Sequence, residues 1–348
     1  MQSLDARYLT SLRFSTDELS ALTKIGEYKG MQELFAEQVP EVLDALRQHA
    51  LIESIESSNR LEQIEAPRAR IEALVAQRTT PKNRSEQEIA GYRDALVLIH
   101  ESAEHMPFSS NVVKQLHGLV YRYHASEGGR WKMTDNDIVE KNPDGTIRRI
   151  RFRTVRVIET PQAMDDLVAR YGVAAQGVSL EPLVLVPLAI LDFLCIHPFR
   201  DGNGRVARLL TLLLLYHFDY WVGRYVSLER IIEESKTSYY ETLEASSQGW
   251  HEGRHDAHPW LNYFWGVLLR AYREFEERAR RVGTGTKTEQ IRQVVTQKIV
   301  PFAISELEAE LPHVSRDMIR LVLRQLRDEG IIESIGKGRG AKWRRIAG

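Results

Sequence analysis

The chain has 348 residues, enough for two or three packed domains rather than one. Hydrophobic residues make up 43% and charged residues 27%, a balance that excludes a disordered or fibrous chain. With 47 Lys+Arg against 48 Asp+Glu, no global field draws it to nucleic acid or a membrane surface, so any such affinity has to be local.

The amino-terminal "MQSLDARYLT" places Asp5 and Arg7 where a signal peptide needs its apolar core, so no secretory leader is expected. From residue 16 to about 104, apolar positions recur three and four apart, as in "MQELFAEQVPEVLDALRQHALIESIESSNRLEQ" and "EQEIAGYRDALVLIHESA". The pattern predicts a helical amino-terminal region over 1–104. "NVVKQLHGLVYRYHAS", residues 111–126, predicts another helix, closed by the glycines of "EGG".

The texture then changes. "RWKMTDNDIVEKNPDGTIRRIRFRTVRV" alternates polar with apolar or β-branched residues around "NPDG", whose Pro143 and Gly145 suit a turn, and it predicts a β-hairpin. Helices resume at "TPQAMDDLVARYGVAA", where Thr160 is suited to cap and Pro161 to the first helical position. "LVLVPLAILDFLCI" and "LLTLLLLYHF" are the greasiest segments, too short and too closely flanked by charge to cross a bilayer, so they read as buried helices. Cys195, the only cysteine, excludes an intrachain disulfide; it reads as a core residue in a cytoplasmic protein.

"HEGRHDAH" spaces His251, His255 and His258 as a zinc site could, but Gly253 and the lack of apolar support read as a loop. "NYFWGVLLRAYREFEERARR" closes a core over 105–280, and "VGTGTK" reads as a linker over 281–287. Residues 288–348 read as three helices and a two-stranded wing, with Ser315 capping the third helix, Gly330 ending it and "GKGRGA" as the hairpin tip. That pattern looks like a winged helix, suited equally to DNA through its basic wing or to protein contact and dimer packing. The expected class is mainly α: a helical core with a β-hairpin, a helical amino-terminal region and a carboxy-terminal winged helix-turn-helix unit.

Chemistry concentrates in "HPFRDGNGRVARLL", residues 197–210. Pro198 disfavours helix at the residue before it, which sets His197 at a helix–loop edge. Asp201, Gly202, Asn203 and Gly204 tolerate the backbone angles of an anion nest, and the nest opens directly onto a helix amino terminus, where unpaired amides favour phosphate. Arg205 and Arg208, three apart, share a face at its start and can grip phosphate oxygens. Asp201 is a hard oxygen ligand fit for Mg²⁺.

The stretch resembles the signature of the Fic family, His-x-Phe-x-Asp/Glu-Gly-Asn-Gly-Arg-x-x-Arg, and matches it at every defined position; a weaker resemblance runs from about Leu51 to Arg280. It implies transfer of AMP from ATP to a hydroxyl of a target protein, with release of pyrophosphate. His197 would be the general base, Asp201 the Mg²⁺ ligand, and Gly202, Asn203 and Gly204 the cradle for the α and β phosphates. Arg205 and Arg208 would hold the β and γ phosphates, and Phe199 would anchor the loop in the core. "SSNRLEQ" resembles the family's inhibitory motif, Ser/Thr-x-x-x-Glu-Gly/Asn, with Ser58 and Glu62 in place and Gln63 departing from it. In such a motif Glu62 pairs with Arg208 and excludes the productive γ-phosphate pose. The hairpin would be the family's flap, lending a strand edge to the target; its arginines "RRIRFR" read equally as edge protection.

Expected partners are therefore a hydroxyl-bearing target protein, the chain itself included, DNA through the winged helix, and a second copy of the chain, with no membrane. Two alternatives stay open: a DNA-binding regulator that uses the site as a nucleotide sensor, and an enzyme that transfers another phosphate-containing group or removes AMP.

Overall fold

The computed structural model describes residues 2–38, 40–124, 128–142, 144–177, 180–284, 287–298, 300–311, 314–336 and 342–346. In chain order the first elements are α1 (Ala6–Ser11), α2 (Thr16–Gln38), α3 (Pro40–Leu61), α4 (Arg68–Val75), α5 (Arg84–Ser102) and α6 (Ser110–Val120). A hairpin of β1 (Ile138–Lys141) and β2 (Ile147–Phe152) follows, then α7 (Thr160–Gln176), α8 (Pro182–Ile196), α9 (Asn203–Tyr216), α10 (Leu228–Glu234), α11 (Lys236–Ser247) and α12 (His258–Thr284). The chain continues through α13 (Lys287–Gln297), β3 (Phe302–Ala303), α14 (Ile304–Glu310), α15 (Arg316–Asp328), β4 (Ile332–Ile335) and β5 (Lys342–Arg345).

The mainly helical class is as expected, and no helix among the described residues is long and apolar enough to cross a membrane. Several boundaries differ from the sequence expectation. The helix expected over 111–126 stops at Val120, where Tyr121 leaves helical geometry and turns toward the loop that follows α8. Thr160 does not cap α7: its hydroxyl donates to Arg156 O at 2.9 Å, and the helix begins at Thr160 itself. Residues 281–284 of the expected linker belong to α12, because its helical pattern runs on to Thr284. Pro143 and the expected wing tip over 337–341 lie outside the described residues.

One hydrophobic cluster runs from Leu4 to Phe275, so the amino-terminal helices share a core with the elements that follow. A second, around Ile291, Phe302, Leu323 and Ile332, belongs to α13–β5. There Ser315 caps α15 through Met318 N–H, Gly330 turns the chain at φ +74°, and the antiparallel sheet has the order β3-β5-β4, one short strand more than expected. α13 also packs on α3.

α8 and α9 form the centre of the larger cluster. Every residue of α8 except Pro182 and Leu194 is buried, and every residue of α9 except Gly204, which explains the all-round apolar sequence. Pro187 inside α8 has no N–H for the Leu183 carbonyl four residues back. That carbonyl is satisfied from outside: the Trp265 indole on α12 donates to Leu183 O at 2.7 Å, while Trp260 donates to Pro187 O at 2.8 Å. Trp265→Phe removes the indole donor from a buried carbonyl that the helix cannot serve. Equilibrium unfolding should show a loss of roughly 1–3 kcal/mol, the usual penalty for an unmade buried hydrogen bond.

Candidate active site

α8 ends at His197, which adopts a left-handed conformation (φ 53°, ψ 59°) instead of the extended one usual before proline. Its Nδ1 faces Leu194 O at 3.2 Å, an acceptor, so Nδ1 carries the proton and Nε2 keeps a free lone pair. Burial holds the imidazole neutral, with its pKa pulled down to about 4.

The loop is cross-braced by Asn203. Phe199 N–H donates to Asn203 Oδ1 at 2.9 Å, and Asn203 Nδ2 donates to Phe199 O at 2.7 Å. The Phe199 ring is fully buried and stacks on His117 with centroids 3.8 Å apart. His117 Nδ1 accepts from Gly129 N–H, which leaves Nε2–H to donate to Asp201 O at 3.1 Å. Gly202 takes φ +78° and its N–H donates to Asp201 Oδ1, so the loop turns into α9 with that carboxylate at the helix entrance.

A cavity of about 330 Å³ opens above this turn, lined by His197, Asp201, Gly202, Asn203, Gly204 and Arg208, with Tyr240 and Leu243 of α11 and Ile138 and Phe152 of the hairpin on its other sides. Its size and mixed lining suit a small polar ligand. Arg149 and Arg151 of β2 both bond Glu244 of α11, which ties the hairpin to the cavity wall.

Arg208 is 3% exposed. Its Nε donates to Ser58 Oγ and its Nη2 to Ser58 O and Glu62 Oε1, each at 2.8 Å. Burial works against its charge, but the Glu62 carboxylate outweighs that and the guanidinium pKa is raised. Glu62 also covers the first turn of α9: a Cβ added at Gly204 would meet Glu62 Oε1 at 2.3 Å and Arg208 Nη1 at 3.2 Å. Arg208 Nη1 has no protein partner among the described residues.

Arg205 is the expected site residue that the structure does not bring to the cavity. It is fully buried on the far side of the turn, paired with Glu88 Oε2 at 2.8 Å and donating to Tyr121 OH at 2.7 Å, with its guanidinium over the Tyr121 ring. Spacing by three aligns the two arginines along the helix, yet Glu88 supplies a carboxylate that draws Arg205 away from the cavity while Arg208 lines it. The three histidines of 251–258 separate likewise, to Arg153 O, the Ser3 hydroxyl and the Glu18 carboxylate. Sequence reading missed Lys132, Asn136 and His117, which brace the loop from 60 or more positions away and carry no local signal.

Residues 107–215 match the Fic/DOC family. A Fido domain-containing protein of Dictyostelium discoideum is 25% identical over 111 residues, which cover 31% of this chain and 73% of that protein. A solved Fic family protein from Desulfovibrio desulfuricans G20 shares the fold at a TM-score of 0.62 and 21% identity, over 97% of this chain and 98% of the other. A Fic domain-containing signaling protein from Bacteroides thetaiotaomicron VPI-5482 gives a TM-score of 0.61 at 23% identity, over 74% and 97%.

The turn that presents Glu62 has a strained corner. Glu62 follows the last residue of α3, and Gln63 takes φ +61° so that its N–H reaches Arg60 O and Ile64 N–H reaches Asn59 O. Glycine or asparagine suits such a left-handed position and glutamine does not. Relief of about 1–2 kcal/mol of backbone strain, offset by the greater freedom of glycine in the unfolded chain, leaves Gln63→Gly more stable by roughly 0.5–1 kcal/mol. Thermal unfolding should show the rise, and an unchanged or lower midpoint would contradict the strain.

Proposed function

This chain belongs to the Fic/DOC family through residues 107–215, and from that premise we propose that it is a protein adenylyltransferase held inactive by Glu62. The family generally transfers nucleotide-derived groups to proteins. The observation that carries the finer reading is the carboxylate of Glu62, which bonds Arg208 at 2.8 Å and covers Gly204, where the first turn of α9 offers unpaired amides to an anion. An acidic side chain there occupies ground suited to phosphate.

With Glu62 displaced, Arg208 would offer the donors now given to Glu62, together with unpartnered Nη1, to the terminal phosphates of ATP. The turn at Gly202, Asn203 and Gly204 would cradle the α and β phosphates. Arg205 supports the turn from behind. His197 is neutral near pH 7 and its Nε2 is free to take the proton of a target Ser, Thr or Tyr hydroxyl. The hydroxyl oxygen then attacks the α-phosphorus, the bond to the oxygen bridging the β-phosphate breaks, and pyrophosphate leaves. The Asp201 carboxylate at the helix entrance suits a Mg²⁺ ion brought by the nucleotide, because Mg²⁺ is usually held by one or two carboxylates plus phosphates, and such an ion would neutralise phosphate charge. The buried single cysteine is consistent with a cytoplasmic setting.

Incubation of the full chain with ATP labelled at its α-phosphate, in lysate of its host, tests this reading. Glu62→Gly should raise label incorporation about 10²-fold, the scale on which small misplacements of a reacting group act. Adding His197→Ala should abolish incorporation while ATP binding persists. In parallel incubations, label retained only from γ-labelled ATP, or only from another labelled nucleotide, would reassign the transferred group; no gain in Glu62→Gly would return Glu62 to an ordinary surface role.

We further propose that α13–β5 is a winged helix that contacts duplex DNA. Its support is the exposed side of α15, which carries Arg316, Arg320, Arg324 and Arg327 beside the β4–β5 hairpin. Glu308, Asp317 and Asp328 temper that charge. Titration of the full chain against duplex DNA should give an affinity that falls linearly in log–log terms as salt rises, through counterion release. No binding at low salt would assign the unit to protein contact.

A further inference from the structure

Lys132 is a buried ammonium, 3% exposed, on the segment leading into β1. Its main-chain N–H donates to Pro198 O at 2.8 Å. Its Nζ donates to Asn136 Oδ1 at 2.8 Å, Thr154 Oγ1 at 2.9 Å and Ile196 O at 3.2 Å, so all three protons go to neutral oxygens. Ile196 and Pro198 are the residues on either side of His197. We infer that Lys132 is the positioning residue for the base, clamping the peptide units before and after His197 so that the left-handed turn holds and Nε2 stays aimed into the cavity.

The inference rests on the transfer reading above, in which His197 takes the hydroxyl proton. Its physical basis is separate. A non-glycine residue in the left-handed region is disfavoured and persists only where its surroundings over-determine it. The turn at His197 has the surroundings. Ile196 O is one of the carbonyls left without a helical partner as α8 ends, and Lys132 serves it directly. Asn136, held by the same ammonium, donates to Phe199 O at 2.6 Å, which extends the brace from Ile196 to Phe199.

A core position does not otherwise call for a lysine. Burial disfavours the charge and draws the Lys132 pKa down to about 8, so an apolar side chain of similar volume would fill the space more cheaply. The charge has a second effect on the base. After burial, the Lys132 ammonium is the main charge opposing protonation of the His197 imidazole, while Glu62 and Asp201 favour it.

The test uses the full chain carrying Glu62→Gly as parent, compared with the same chain bearing Lys132→Met or Thr154→Val. Methionine keeps the volume and removes all three side-chain donors. We expect Lys132→Met to lower kcat about 10²-fold, since angstrom-scale misplacement of a reacting group costs that much, with affinity for ATP–Mg²⁺ unchanged. An unchanged kcat, or a matching loss of nucleotide affinity, overturns the assignment. If Lys132→Met fails to fold, Thr154→Val, which removes one acceptor of the clamp, is read by the same criteria with a smaller expected loss. Should the parent itself transfer nothing, the transfer reading fails alone, and the ring-nitrogen NMR signals of His197 decide the clamp. A single Nδ1–H tautomer in the parent should become mixed or exchange-broadened in Lys132→Met, and an unaltered spectrum overturns the inference.

Discussion

Arg208 is a cation held out of water, and its need for an anion organises the site. A buried guanidinium without a counter-charge is strongly destabilising, so the first turn of α9 always requires a negative group beside it. Glu62 meets that requirement within the chain, from the turn that ends α3. A nucleotide phosphate would meet it equally, which makes the two mutually exclusive by charge as well as by space. Under the proposed function, release would need no large movement: one carboxylate would leave and one phosphate would take its place.

The stability of the Glu62–Arg208 pair depends on how firmly α3 is held. Ser54, one turn before Ser58, donates to the buried carboxylate of Glu229 at 2.7 Å, and Tyr92 donates to the same group at 3.1 Å. Glu53 and Arg60 reach across to Arg230 and Glu233 of α10. These bonds fix the body of the helix, whereas Glu62 itself lies beyond its last turn and is 31% exposed. The helix is thus anchored where it touches the core, and the carboxylate that reaches Arg208 sits just past its end.

How much of this was legible in the sequence follows from how local each piece is. The run 197–208 could be read because its histidine, carboxylate, glycines and arginine are contiguous, and a buried helix on either side is visible as apolar composition. Ser58 and Glu62 could be read from a short spacing, and the structure brings both to Arg208. The direction of the Arg205 side chain could not be read: it is decided by Glu88 and Tyr121, more than 80 positions earlier, and helical spacing alone does not register a distant carboxylate. Lys132, Asn136 and His117 were invisible for the same reason. The departure at Gln63 was visible as a mismatch, but its meaning needed the backbone angle.

The two arginines of one helix turn also show how burial assigns roles that residue type does not. Both are buried cations, both have a carboxylate at 2.8 Å, and both carry unpartnered N–H groups among the described residues. Glu88 is itself buried and bonded by Arg84, so the Arg205 pair is enclosed and braces the turn. Glu62 is partly exposed and borders the cavity, so the Arg208 pair is open to solvent on its carboxylate side. A charge pair with both partners enclosed acts as a strut, whereas one with a partner that can reach water is the kind the proposed switch requires. The difference at this site lies in the carboxylates, not in the arginines.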